Sequence, residues 1–252
     1  MMNLPNAITM GRIAATPLIA TLVINSAWMP RASAWVLFVV AASTDYVDGK
    51  LARDRNLVTN LGKLLDPLAD KLLLVATLVP MYWLMRDSLF ASLPQSDAWA
   101  AGETVGAIVA SHGEHRLLYP FVTPLGLVGL PLWILAVVVL RELLMTVFRQ
   151  VAARRGVVIA AMGPAKWKTT FQMIWVGAAF FWFFASTAAM EHGWRGQAWN
   201  AFALFNGIVG TLSMVGAIAL TLYSMWLYVR QYGPMMRQPA LASGAERRTH
   251  PG

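Results

Sequence analysis

The sequence lacks cysteine and has few charged residues. None of its 252 residues is Cys, and only 13% are Asp, Glu, Lys or Arg, whereas 58% are hydrophobic. The absence of cysteine excludes disulfide bonds, thiolate metal sites and a cysteine nucleophile. The scarcity of charge leaves far more apolar side chains than a soluble core of this size can bury. These features predict an integral membrane protein.

Acidic residues are scarcer than basic ones, with 12 Asp and Glu against 20 Lys and Arg and a formal net charge of +8. A basic excess is also found in proteins that bind nucleic acid. In a membrane protein, however, it is typical of cytoplasmic loops that face anionic lipid. We therefore expect membrane lipids as partners and no nucleic acid.

Six apolar runs predict an all-α integral membrane protein with six transmembrane helices. About 20 helical residues cross the hydrocarbon core, and the second and third runs reach that length only when their acidic ends are included. The runs extend from the N-terminal region to residue 24 and then over residues 32–53, 61–85, 125–140, 171–185 and 203–228. The polar stretch 87–124 predicts an extramembrane loop within a membrane domain of residues 1–232. Residues 233–252 predict a disordered cytoplasmic tail.

Four carboxylates lie in the acidic ends of the second and third runs. Asp45 and Asp48 are three residues apart, and Asp66 and Asp70 are four apart, so each pair projects from one face of its helix. The connection between the two runs is short, which predicts antiparallel neighbouring helices. Carboxylates at membrane depth are costly unless they pair, coordinate a cation or line a wet cavity. Their number and spacing predict a divalent metal site.

Two polar residues, Asn6 and Thr9, lie at the start of the first run, after Pro5. Proline suits the first turn of a helix, where its missing N–H costs nothing. The side-chain oxygens of Asn6 and Thr9 suit either a helix cap or a contact to a ligand. The sequence favours neither role over the other.

Basic residues of the fourth and fifth runs are predicted at the same depth as the carboxylates. Lys and Arg accumulate on the side that faces the cytoplasm, and their distribution places the acidic cluster at that face. A pocket with carboxylates for a metal and cations on another wall fits a substrate that contains phosphate. The candidate contacts to an acceptor phosphate are Arg141, Arg149, Lys166 and Lys168. The alternative for Arg141 is an ion pair with Glu142 that only locks the helices.

The acidic segment resembles the signature of the CDP-alcohol phosphotransferase family at every fixed position and spacing. The matching pattern is Asp45–x2–Asp48–Gly49–x2–Ala52–Arg53–x8–Gly62–x3–Asp66–x3–Asp70. The chain is also similar to the phosphatidylglycerophosphate synthase branch of that family. This second likeness is carried by the Asn–Leu–Pro–Asn start, the run Leu–Leu–Asp–Pro–Leu–Ala–Asp–Lys at residues 64–71, and Arg141–Glu142.

The resemblance implies a six-helix membrane enzyme, commonly a homodimer, with the CDP-alcohol phosphotransferase fold. Such an enzyme transfers a phosphatidyl group from CDP-diacylglycerol to an alcohol and releases CMP. The four aspartates of the signature would hold Mg²⁺ or Mn²⁺, and the last of them, Asp70, is also the proposed base. Gly49 and Arg53 would contact the CDP part. A glycine allows a nucleotide to approach the backbone closely, and an arginine can bind a diphosphate through two parallel hydrogen bonds.

The basic residues favour glycerol 3-phosphate as the acceptor, because an uncharged alcohol would have little use for them. Alternatives with the same chemistry are inositol phosphate and phosphatidylglycerol, the latter in a cardiolipin synthase. The alternative from another class is a secondary transporter, which would usually carry its charged site near the membrane midplane. We expect a multi-pass protein of a bacterial-type cytoplasmic (inner) membrane, with the active site facing the cytoplasm.

Overall fold

The computed structural model describes residues 4–54, 59–85, 121–155, 163–194 and 196–237. Residues 233–237 of the predicted tail belong to the last helix, so the prediction of disorder was wrong for them. Residues 238–252 of the tail and residues 87–120 of the predicted loop lie outside the described residues. Helices account for nearly all of the described part of the chain. They are α1 (Leu4–Ile24), α2 (Trp28–Asp54), α3 (Asn60–Met85), α4 (Leu132–Arg154), α5 (Gly163–His192) and α6 (Gln197–Arg237).

Four stretches among the described residues are long and apolar enough to cross a membrane. They are Asn6–Ile24, Leu65–Met85, Trp167–His192 and Gln197–Gly233. Many large apolar side chains on the outer surface are exposed, including Val40, Leu140 and Leu212, as expected where lipid replaces water. The chain is therefore a multi-pass helical membrane protein. Helices α2 and α4 carry more charge along their length, which sets them apart from the four apolar spans.

Aromatic contacts fix the direction of α5 relative to α2. Trp28 contacts His192 at 5.7 Å between ring centroids, and Phe38 contacts Phe180 at 5.6 Å, so the two helices run antiparallel. Trp182 of α5 is buried and stacks on Trp199 of α6 with an angle of 11° between the rings. Helix α5 is thus the centre of the apolar core.

The remaining helices alternate in direction around α5. Asn206 donates to the carbonyl of Ala178 while Trp199 lies beside Trp182, so α6 is antiparallel to α5. Met145 of α4 packs with Tyr228 of α6, in a small apolar cluster separate from the main core. Arg141 of α4 also contacts Ser224 of α6, so the two helices are parallel. The end of α1 meets the start of α2, and successive residues of α1 contact successive residues of α3. The starts of α1, α3 and α5 and the ends of α2, α4 and α6 therefore lie toward one end of the bundle, which we call the near end. The opposite end is the far end.

A β-hairpin that packs on α6 departs from the prediction of an all-α chain. Strands β1 (Phe121–Thr123) and β2 (Gly126–Val128) pair antiparallel. The prediction that residues 121–124 belong to a loop and 125–131 to the fourth helix was wrong. Gly126 has φ 129°, a conformation that allows the tight turn but that L side chains rarely adopt. Pro131 then precedes the first residue of α4 with φ −74° and ψ 157°.

The hairpin packs closely against α6. A Cβ atom added at Gly207 would lie 1.8 Å from the carbonyl oxygen of Val122. Phe121, Val122 and Leu127 are almost fully buried, although Leu125 at the turn is 94% exposed. The glycine in α6 therefore makes room for the hairpin, which packs directly against the backbone of α6.

Candidate active site

The structure places two of the predicted metal ligands, Asp66 and Asp70, on the first three turns of α3. Both carboxylates are exposed, and the Asp70 side chain is 61% accessible. The segment that contains Asp45, Asp48, Gly49 and Arg53 is helical and belongs to α2, as the spacing predicted. Their side chains lie outside the described residues, so the roles assigned to those four stay predictions.

A polar face on α1 lies against the carboxylates of α3. Asn6, Thr9 and Arg12 are spaced three residues apart, and each is 2–3% exposed. Thr9 Oγ1 donates to Asp66 Oδ1 at 3.0 Å, and Arg12 Nη1 donates to Asp70 Oδ1 at 3.5 Å. Because later residues of α1 contact later residues of α3, the two helices run parallel.

Gly62 of the signature lies where α1 and α3 are closest. A Cβ atom there would lie 2.9 Å from Asn6 Oδ1 and 3.2 Å from Thr59 Oγ1. Thr59 Oγ1 donates to Asn6 Oδ1 at 3.0 Å and accepts from the Gly62 N–H at 3.0 Å. Thr59 thus caps the first turn of α3 and also ties it to α1. Asn6 and Thr9, predicted as caps or ligand contacts, make bonds between helices.

Arg12 is the site residue that the sequence analysis missed. It lies within the first apolar run, and its guanidinium is the buried partner of the exposed Asp70 carboxylate. The signal was present, because an arginine at membrane depth needs a partner and the nearest acids along the chain are those of the signature.

The described carboxylates suit a hard divalent cation. Asp66 and Asp70 lie one turn apart on one face of α3, and carboxylate oxygens are the ligands that Mg²⁺ and Mn²⁺ prefer. Among the residues whose side chains are described, no group of three or more His, Asp or Glu comes together. The two described acids therefore fit half of the predicted set, and Asp45 and Asp48 are needed to complete it.

A buried ion cluster joins α4, α5 and α6. Arg141 Nη1 donates to Glu142 Oε1 at 2.8 Å, and its Nη2 donates to Ser224 Oγ at 2.8 Å. Lys168 Nζ donates to the same Glu142 oxygen. Arg141 and Lys168 are 6% and 5% exposed. We call these four residues the basic junction.

The ion pair between Arg141 and Glu142 is thus present, and Lys168 joins it. The junction has two cations and one carboxylate, which leaves one positive charge uncompensated within it. Arg149, two turns beyond Arg141, is exposed and has its guanidinium 5.8 Å from the centre of the Tyr228 ring. The Lys166 side chain lies outside the described residues. Contact of these cations with an acceptor phosphate stays a prediction.

Comparison with known proteins matches residues 2–223 to the family described as CDP-alcohol phosphatidyltransferase. A CDP-diacylglycerol–glycerol-3-phosphate 3-phosphatidyltransferase of Bacillus subtilis is 33% identical over 190 residues, which are 71% of this chain and 76% of the relative. The enzyme of the same name from Rickettsia bellii is 51% identical over 78 residues, 31% of this chain and 42% of the relative. A cardiolipin synthase (CMP-forming) of rice is 33% identical over 178 residues, 69% of this chain and 44% of the relative.

Proposed function

The chain belongs to the CDP-alcohol phosphatidyltransferase family, and we propose that it transfers a phosphatidyl group from CDP-diacylglycerol to glycerol 3-phosphate. The products are phosphatidylglycerophosphate and CMP. The observation that carries the proposal is the pair of exposed signature carboxylates, Asp66 and Asp70, at the same end of the bundle as the basic junction. The names of the Bacillus and Rickettsia relatives support the same acceptor. The family assignment leaves the transporter alternative without support.

All six helices cross the membrane in this proposal, with the near end in the cytoplasm. The alternating directions of the helices support six crossings, because each helix runs opposite to the one before it. Most Lys and Arg residues fall in segments next to the near end, which supports its cytoplasmic orientation in a bacterial-type inner membrane.

The donor site is formed by the acidic parts of α2 and α3. Asp48 and Asp45 precede the end of α2 by six and nine residues, and Asp66 and Asp70 follow the start of α3 by six and ten. At 1.5 Å per residue all four backbone positions lie about 9–15 Å from the near end. This common depth supports one site for Mg²⁺ or Mn²⁺. A bound divalent ion would neutralise charge on the diphosphate as CMP leaves.

Two further positions of α2 complete the proposed donor site. Gly49 and Arg53 lie in the last two turns of α2, on the near-end side of the aspartates. Arg53 would hold the diphosphate of the CDP part, and Gly49 would allow the nucleotide to approach the backbone.

Asp70 is the proposed general base. The hydroxyl oxygen of the acceptor attacks the phosphorus of the phosphatidyl group, the bond from that phosphorus to the CMP oxygen breaks, and the hydroxyl proton passes to a carboxylate. The 61% exposure of the Asp70 side chain supports access by an acceptor.

The acceptor phosphate is proposed to bind beside the basic junction. Lys168 lies five residues after the start of α5, about 8 Å from the near end, which is close to the depth of the aspartates. The uncompensated positive charge of the junction attracts an anion. Arg149 lies on α4 with Arg141, and Lys166 lies on α5 with Lys168. Glu142 lets Arg141 and Lys168 stay charged while buried.

Release of CMP from CDP-diacylglycerol by the purified protein tests the proposal. With Mg²⁺ and glycerol 3-phosphate we expect CMP and phosphatidylglycerophosphate in equal amounts, and no CMP when chelator removes the metal. Matched reactions contain inositol phosphate or phosphatidylglycerol as the acceptor. No release with any acceptor contradicts the enzyme assignment, and release with inositol phosphate alone replaces the acceptor.

Cardiolipin synthesis is the second candidate, because the rice relative named for it aligns with 69% of this chain. It predicts CMP release with phosphatidylglycerol in the same assay. The charged residues of the basic junction favour glycerol 3-phosphate over this lipid. A homodimer is also proposed, and the mass of the purified protein in detergent measures it.

A further inference from the structure

The near-end half of α1 is unusual for a membrane span because one of its faces is polar and fully buried. Asn6, Thr9 and Arg12 belong to a candidate membrane span with a mean hydropathy of 1.7, and none of them is more than 3% exposed. Polar groups at membrane depth are costly unless they serve a partner. Two of the three have a carboxylate of the proposed metal site as that partner.

The partners differ sharply in exposure. The Arg12 side chain is 1% accessible and that of Asp70 is 61% accessible, although the two are in contact. The guanidinium therefore lies on the protein side of the carboxylate, and a cation approaches from the open side. Thr9 and Asp66 repeat the arrangement, with a buried hydroxyl beneath an exposed carboxylate.

We propose that Thr9 and Arg12 are positioning residues for the metal-binding carboxylates. Each bonds one oxygen of its aspartate from below and holds that side chain in one rotamer, facing the open side. An exposed carboxylate without this support samples several rotamers, and binding a metal then requires that they be ordered. Hydrogen-bond partners behind metal ligands typically change metal affinity by about 10–100-fold when removed. The inference rests on the proposed function and adds residues outside the signature to its metal site.

Binding of Mn²⁺ to the protein without substrates tests the role of Thr9, with electron paramagnetic resonance of free Mn²⁺ as the measurement. The Thr9→Val variant keeps the shape of the side chain and removes the hydroxyl. Its Kd for Mn²⁺ is expected to rise about tenfold, and Thr9→Ser restores the affinity. The matched control is Thr77→Val, because the Thr77 hydroxyl donates to carbonyls of its own helix. Equal affinity of the wild type and Thr9→Val overturns the proposal.

The sign of the effect tests the role of Arg12. A guanidinium that merely repels or competes with the metal predicts tighter Mn²⁺ binding in Arg12→Met. A positioning guanidinium predicts binding weaker by about tenfold, despite the loss of a positive charge. Arg31 is the matched control for the cost of losing a buried arginine, since it is also 3% exposed but contacts Thr187 and the carbonyl of Val23 near the far end. If Arg12→Met does not fold, Arg12→Lys serves; it keeps the charge but loses the guanidinium, so weaker binding supports the proposal and unchanged or tighter binding overturns it.

Failure of this inference is distinguishable from failure of the proposed function. A wild-type protein that binds Mn²⁺ and releases CMP, with a Thr9→Val variant of unchanged metal affinity, overturns only the positioning roles. A wild-type protein that neither binds Mn²⁺ nor releases CMP overturns both. Support requires that Thr9→Val needs more Mn²⁺ for half-maximal CMP release while kcat at saturating Mn²⁺ stays within a few-fold of wild type.

Discussion

Charged side chains at the near end of the bundle are stabilised in two different ways. On α3 the acids are exposed and their partners on α1 are buried, so one side of each carboxylate stays open. In the basic junction two cations share one carboxylate, and both cations are almost completely buried. The first arrangement leaves ligand positions available for a cation. The second holds three helices together and keeps a net positive charge beside them. The acids of α3 are thus accessible to a ligand, whereas the basic junction joins three helices and carries a net positive charge.

The largest expected effect is the loss of activity when an exposed acid of α3 is replaced. Asp66→Asn removes a carboxylate charge but keeps the shape of the side chain and an oxygen that can accept from Thr9. We expect CMP release to fall roughly 10³-fold, since metal stabilisation of a breaking phosphate bond contributes several kcal/mol. The thermal unfolding midpoint is expected to change little, because Asp66 is exposed.

The matched control for Asp66→Asn is Glu191→Gln, an exposed acid in the last turn of α5 at the far end. It should keep wild-type activity. An active Asp66→Asn variant would remove this residue from the metal site.

A change in the buried basic junction is expected to lower the stability of the protein. Glu142→Gln leaves Arg141 and Lys168 buried without their counter-charge, which typically costs about 3–5 kcal/mol. The fall in the thermal unfolding midpoint in detergent measures it. A variant with Met at all three charged positions is expected to recover that stability, because apolar residues replace buried ion clusters at little cost.

The triple-Met variant also separates the two roles of the junction. If Arg141 and Lys168 attract the acceptor phosphate, KM for glycerol 3-phosphate rises at least about tenfold, since a hydrogen bond to a charged group contributes about 1.5–3 kcal/mol. An unchanged KM in a stable variant would show that the charges only lock the helices.

The smallest effect is expected for a change away from both the acids of α3 and the basic junction. Gly207→Ala places a Cβ against the backbone of the hairpin and should destabilise the protein by about 1–3 kcal/mol. Activity per folded molecule should be unchanged. Gly177→Ala is the control, because its Cβ would meet only the Phe38 ring at 3.6 Å. A change in kcat for Gly207→Ala would mean that the packing of the hairpin on α6 is coupled to the site.

The sequence predicted the acidic helices better than their surroundings. Asp45 to Asp70 could be placed because carboxylates in apolar sequence and a fixed spacing point to one kind of chemistry, and the helical bounds of α2 and α3 agree with that placement. The partners of those acids are 57 and 58 residues away on α1. No local pattern shows which face of α1 meets α3, so Arg12 was passed over.

The junction and the hairpin show two other limits. Arg141 and Glu142 are adjacent and their pairing was anticipated, but the contact of Glu142 with Lys168 depends on how α4 and α5 pack. The hairpin was missed because its residues are as apolar as a membrane helix. The signals that residues 121–131 are not helical were Pro124, Gly126 and Pro131. The length of the apolar run outweighed them in the prediction.

Because the sequence contains no cysteine, thiol-specific spin labels can be placed at chosen positions on α4 and α6. Helix α6 has 41 residues and is about 60 Å long, roughly twice the hydrocarbon thickness, and Met145 and Tyr228 pack its last part against α4. Val147 and Val229 lie on these two helices with 56% and 52% exposure. Val147→Cys and Val229→Cys would be the only thiols in the chain. A pair of spin labels there would read the separation of the two helices in a native membrane while leaving the acids and the junction untouched.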